Sequence, residues 1–232
     1  MYKYSIALHS LNEETYGIDN LELYDGVFGK KLCDFNGAET EDLRNLLIAQ
    51  RQRIVLYTVN MPLTDKQAYV AFFRRAHLLN IENVKLSLSA VQNRENFDAL
   101  REIIDLARGM GIRMLFEMEP DYPFFDFAAY KEVRSAATGL IFSPMSFLTQ
   151  DLMPFLRVLY NCKVKDDIVF LRIDDGLMHT GEPTPIEEGN AEVKECVSNL
   201  LARSFAGYFS ITDYNGDIPD LLSRFAKMLS KL

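Results

Sequence analysis

Ile112-Arg-Met-Leu-Phe-Glu117, Gly139-Leu-Ile-Phe-Ser143, Ile168-Val-Phe-Leu-Arg-Ile-Asp-Asp175 and Gly207-Tyr-Phe-Ser-Ile-Thr-Asp213 are apolar runs that each close on a polar cluster, with helix-like segments between them. Short apolar runs alternating with longer amphipathic segments mark βα units and a parallel sheet. Polar groups at the carboxyl ends of successive parallel strands are where a (β/α)8 barrel assembles its site. Working outward, strand-like runs lie near 4–9, 20–25, 53–59, 83–88, 112–117, 138–143, 167–174 and 206–212. Most begin roughly 25–40 residues after the one before, which suits a strand, a helix and two loops. The expectation is an α/β fold, a single (β/α)8 TIM-barrel domain over residues 1–232.

Helices fall between the strands. Thr40-Glu-Asp-Leu reads as a start with an N-cap and acidic first-turn residues, and Thr64-Asp-Lys-Gln as a second with a capping-box pattern. Asn96 to Arg108 carries apolar residues at i, i+3, i+4 and i+7 and should close at Gly109 or Gly111. Ile218 onward forms a similar amphipathic C-terminal segment. Only about ten residues separate the first two strands, barely the dozen or so a parallel crossover needs. The first helix should therefore be vestigial, leaving a flank where a second copy of the chain could pack as a homodimer.

The chain has 232 residues, 48% hydrophobic and 25% charged, enough for a substantial core. A formal net charge of -8 argues against nucleic acid as a partner, because that affinity rests on dense Lys/Arg neutralisation of phosphates. Cys33, Cys162 and Cys196 are scattered, without metal-ligand spacing, and fit a reducing cytoplasm. No signal-like start and no run of about 18 apolar residues is present, so no membrane partner is expected.

With the strands placed, the chain resembles the xylose isomerase-like family of TIM barrels, which includes sugar phosphate isomerases and epimerases. Gly17-Ile-Asp-Asn-Leu-Glu-Leu resembles its second strand, Met114-Leu-Phe-Glu117 its fifth and Gly139-Leu-Ile-Phe-Ser-Pro-Met-Ser its sixth. Val169-Phe-Leu-Arg-Ile-Asp-Asp resembles the seventh strand's His-apolar-Lys-Asp end, Pro185-Ile-Glu-Glu-Gly-Asn the following Gly-Glu-Gly loop, and Phe205-Ala-Gly-Tyr-Phe-Ser-Ile-Thr the last strand. The order and spacing of these matches carry the resemblance.

The resemblance implies a divalent metal held by Glu, Asp or His, His and Glu on the last four strands. Here only Glu117 matches: Ser143, Arg172 and Thr212 stand at the other positions, and Ser146 where a following His is common. A guanidinium repels a cation, so no metal or other cofactor is expected, the alternative being one divalent ion at Glu117. Asp213 is one residue past the missing Glu, where strand parity points it away from the axis.

The catalytic candidates are Glu117, Arg172, Asp174 and His179; those for substrate binding are His9, Glu22, Lys85, Glu119, Ser143, Asp175 and Thr212. Each has a structural alternative. Glu117 could simply cap its strand and pair with Arg172 or Lys85, Asp174-Asp175-Gly is turn chemistry, and His179 lies in a loop rich in Gly, Pro and Thr. His77 reads as a structural helix residue. Tyr122-Pro-Phe-Phe-Asp-Phe reads as an apolar wall over the pocket. The expected activity is isomerisation or epimerisation of a sugar or sugar phosphate by proton transfer next to a carbonyl, Glu117 as base and Arg172 polarising the oxygen. The alternative is a non-catalytic protein that binds a carbohydrate or related metabolite. A DNA-repair endonuclease of the same broad fold would need a multi-metal His/Asp/Glu set, and the chain has only three His.

Overall fold

The computed structural model describes residues 2–86, 96–118, 126–212 and 217–232. Eight parallel strands supply the frame: β1 Lys3–Ala7, β2 Asn20–Tyr24, β3 Arg53–Val59, β4 Asn83–Leu86, β5 Arg113–Glu117, β6 Thr138–Phe142, β7 Ile168–Arg172 and, after a small hairpin of β8 Asp175–Gly176 and β9 Pro183–Thr184, β10 Tyr208–Ile211. Their order is β1-β10-β7-β6-β5-β4-β3-β2, a closed barrel, while β8 and β9 pair antiparallel on their own. Every residue of β6 is buried, and so are the last four of β5. Burial on both faces is why these strands read as continuous apolar runs and why polar side chains collect at their ends.

Among the described residues six α-helices accompany the strands: α1 Gly37–Gln50, α2 Lys66–Leu78, α3 Phe97–Gly109, α4 Phe127–Val133, α5 Val193–Leu201 and α6 Ile218–Leu229. Two starts differ from the expected ones. Asn36, not Thr40, caps α1: its side chain accepts from the Glu39 N–H at 3.0 Å, and Glu39 accepts from the Asn36 N–H at 2.7 Å. Thr40 lies one turn inside, its hydroxyl donating to the Asn36 carbonyl at 2.9 Å. Asp65, not Thr64, caps α2 by accepting from the Ala68 N–H at 3.0 Å. α3 buries Phe97, Leu100, Ile103, Ile104 and Ala107 along one stripe, and Gly111 beyond its end takes φ +73°. No helix forms between β1 and β2. That stretch is a set of turns, with the Leu8 N–H donating to the Glu22 carbonyl at 3.1 Å.

The chain forms two compact units. One takes in the start of β1, the end of β5 and the chain from Leu140 onward; the other runs from Ser5 to Phe116 and includes the segment up to Gly139. The core of the first is aromatic: Phe170 stacks on Tyr208 at 4.8 Å between centroids, and Phe209 meets Phe225 edge-on at 5.0 Å. In the second, Tyr57 packs on Phe72 at 5.4 Å and Phe72 on Phe73 at 5.5 Å. Among the described residues no helix is long and apolar enough to cross a membrane.

Gly207 sets how closely β10 approaches β7. A Cβ there would overlap the Val169 carbonyl oxygen and lie 2.6 Å from the Phe205 ring. Gly37, the first residue of α1, has nothing within 4 Å of such an atom. In thermal melts Gly207→Ala should cost about 1–3 kcal/mol or more through overpacking. Gly37→Ala should be neutral or stabilise by up to about 1 kcal/mol. Equal melting temperatures for the two variants would contradict this strand packing.

Candidate active site

Glu117 ends β5 and Arg172 ends β7, both with side chains 9% exposed. Arg172 Nε donates to Glu117 Oε1 at 3.1 Å, and Arg172 Nη1 donates to the Ser210 hydroxyl. The register of β10 on β7 sets Ser210 opposite Arg172, which is how the hydroxyl reaches the guanidinium. A guanidinium is always charged, so burying it demands a fixed anion and satisfied N–H groups. Glu117 and Ser210 meet both demands. Ser210 was not among the sequence candidates; the available signal was its position two residues before Thr212, with the same parity.

Asp174 lies two residues past Arg172 and is 3% exposed. Neither of its carboxylate oxygens has a hydrogen-bond partner among the described residues. Burial is the main cause that pushes its pKa up to about 7; Glu117 and Asp175 push the same way, while Arg172 pulls it down. Two further polar groups at neighbouring strand ends are also open. The Thr212 hydroxyl is buried without a partner, and Ser143 is buried at the end of β6 with no hydrogen bond from its side chain within the described residues.

Two candidates from the same loop region have partners within the chain. Asp175 Oδ1 accepts from the Gly176 and Ala191 N–H groups at 2.9 Å each, and Oδ2 from Glu187 and Gly189 at 3.1 Å each. Three of these four donors, the N–H groups of Glu187, Gly189 and Ala191, tie residues 187–191 back to β8, and a Cβ at Gly189 would collide with this carboxylate. His179 sits at φ +69°, largely exposed, and its ring pairs with Asp151 on the surface.

The second unit holds the remaining described candidates. Glu22 is buried on β2 and accepts from the Ser5 hydroxyl at 2.6 Å. His9, just past β1, meets the Tyr24 hydroxyl through Nδ1 at 2.9 Å, and its N–H donates to Glu13 at 3.0 Å. Lys85 is half-buried on β4. His77, on α2, bonds the Met110 carbonyl at 3.2 Å, a structural contact. Glu119, Asp213 and Tyr122 to Phe125 of the aromatic wall lie outside the described residues.

The donor set does not fit the metal that the family resemblance implies. Of its four positions only Glu117 offers a carboxylate, and that carboxylate is in contact with the Arg172 cation. Among the described residues, no group of three or more His, Cys, Asp or Glu is placed to hold an ion. A lone carboxylate leaves most of a divalent ion's coordination to water, and a fixed positive charge at contact range opposes it further.

No protein-family model matches the sequence, and no curated protein does. The fold is nevertheless that of solved xylose isomerase-like TIM barrels. A D-tagatose 3-epimerase-like protein superposes with TM-score 0.72 at 18% identity, over 98% of this chain and 97% of its own. A xylose isomerase domain protein from Planctomyces limnophilus gives 0.75 at 11%, over 99% and 96%. A probable 3-DHS dehydratase involved in petrobactin synthesis in Bacillus anthracis gives 0.69 at 14%, over 98% of both chains. The names of these neighbours differ in the reaction they point to, so the shared barrel does not by itself give a function.

Two measurements check this geometry. Glu117→Gln leaves Arg172 buried without its anion and should lower stability by about 3–5 kcal/mol in denaturant titration, whereas Glu117→Gln combined with Arg172→Met should recover much of that loss. Asp174 is raised above its unfolded value, so the native state binds the extra proton between about pH 4 and pH 7, and stability falls as pH rises through that window. Relative to wild type, Asp174→Asn should therefore gain stability from pH 4 to pH 8, by at most about 4 kcal/mol at roughly 1.4 kcal/mol per pH unit. A difference that stays flat over this range would contradict the burial of an ionisable carboxyl.

Proposed function

We propose that this protein is an isomerase or epimerase of a sugar or sugar phosphate, moving a proton next to a carbonyl with fixed protein charge in the place of a metal. The observation that carries this reading is the buried Arg172–Glu117 pair at the strand ends. Paired with a guanidinium, Glu117 is a carboxylate, the form that takes a proton from carbon. The pair of electrons left behind moves toward the carbonyl oxygen, where Arg172 offers a cation that needs no reorganisation as charge develops. Returning the proton to the neighbouring carbon gives the isomer; a proton delivered to the opposite face of the same carbon by a second donor gives the epimer.

The epimerase-like and isomerase-domain neighbours support the reaction class, and the donor set of this chain supports the metal-free variant of it. The test is exchange of carbon-bound hydrogen in D-tagatose against D2O, followed by NMR. Wild type should exchange it, Glu117→Gln should slow exchange by about 10²–10⁴-fold, and a chelator should change neither the rate nor the melting temperature. Exchange that requires added Mn²⁺ or Mg²⁺ would overturn the metal-free reading. A thermal shift with D-tagatose but no exchange would favour the carbohydrate-binding alternative.

A further inference from the structure

Four carboxylates are buried in the described chain: Glu22, Glu117, Asp174 and Asp175. Three are answered. Glu22 accepts from Ser5, Glu117 from Arg172, and Asp175 from backbone N–H groups. Asp174 alone has two buried oxygens and no partner. A carboxyl kept from water with nothing to bond costs the fold stability, and neither the strand end nor the turn after it needs one. Ser210 stands opposite Arg172 in the β10–β7 register, and Thr212, two residues past Ser210 as Asp174 is two past Arg172, likewise has a buried hydroxyl without a partner. Two unanswered polar groups on adjacent strand ends, beside a buried ion pair, are what a bound polar molecule would satisfy.

Resting on the reaction proposed above, we infer that Asp174 is a further catalytic group, whose carboxyl O–H donates to the carbonyl oxygen of an α-hydroxycarbonyl substrate while its second oxygen accepts from the adjacent hydroxyl. A carboxylic acid presents one donor and one acceptor side by side, and an α-hydroxycarbonyl edge presents the complement. Arg172 can polarise that oxygen but cannot protonate it, because a guanidinium does not release its proton.

The proton count closes. Glu117 takes the carbon-bound proton, the C–H electron pair becomes the C=C bond, and the carbonyl oxygen takes the Asp174 proton to give an enediol. On collapse Asp174 recovers a proton from an enediol hydroxyl, and Glu117 delivers its own to carbon. Among the described residues the charged groups that face Asp174 are Arg172 and Asp175 from its own stretch and Glu117 from β5. With burial they leave it near neutrality, the range in which a general acid gives and regains a proton most effectively.

The experiment compares wild type, Asp174→Asn and Asp174→Glu for hydrogen exchange in D-tagatose from pH 5 to pH 9, with the thermal shift by D-tagatose recorded in parallel. Wild-type exchange should fall about tenfold per pH unit above pH 7, and Asp174→Asn should be slower by about 10²–10⁴-fold. Asp174→Glu, which keeps the acid, should recover part of the rate and the pH limb. Wild-type exchange with Asp174→Asn within a few-fold of it, or with the same pH limb, overturns the role of Asp174 and leaves the proposed function standing. If wild type does not exchange, the proposed function falls. In that case a D-tagatose thermal shift lost in Asp174→Asn and above pH 7 upholds Asp174 as the ligand's donor, and a shift indifferent to both overturns it.

Discussion

A guanidinium buried at the end of a barrel strand has to be neutralised where it stands, and this constraint organises the candidate site. Arg172 is answered by Glu117 from β5 and Ser210 from β10. One charged pair thereby fixes three strand ends relative to each other. In the proposed function, the position where the resemblance expects a metal ligand carries the charge the metal would have brought. Buried pairs of this kind add little net stability over an apolar replacement, but losing one partner is costly. Stability alone therefore does not account for the pair, and the proposed function gives it a use.

Around it the polar groups divide into two sets. Asp175, Gly189 and the N–H groups of residues 187–191 form a closed network that holds the loop after β9 against β8. Asp174, Thr212 and Ser143 remain open. Adjacent aspartates on one strand end thus do opposite jobs, because strand parity turns them to different surroundings. Asp175 meets a row of backbone donors. Asp174 meets the ion pair.

β5, β6 and β7 were legible in the sequence because nearly all their residues are buried and each appears as an apolar run; β5, expected at 112–117, spans Arg113–Glu117. The pairing of Glu117 with Arg172 was legible from strand order and parity. Helix starts were less so. In Asn36-Gly-Ala-Glu-Thr40 and in Thr64-Asp65 more than one residue can cap, and local propensity does not rank them; the reciprocal bond with Glu39 selects Asn36. The roles of Asp175 and His179 were not legible, since they depend on contacts across 12–28 positions of loop: Glu187 for the first, Asp151 for the second. Ser210 was hidden by its ordinary place inside an apolar strand, and only the β10–β7 register gives it a function.

The central claim is that protein charge, not a metal ion, occupies the end of β7 and β5. Crystals soaked in millimolar MnCl₂ and measured for anomalous scattering address it directly. The account predicts no manganese peak at Glu117 and an Arg172 guanidinium still within hydrogen-bond distance of its carboxylate. A full-occupancy peak about 2.2 Å from a Glu117 oxygen, with Arg172 turned away, would contradict it.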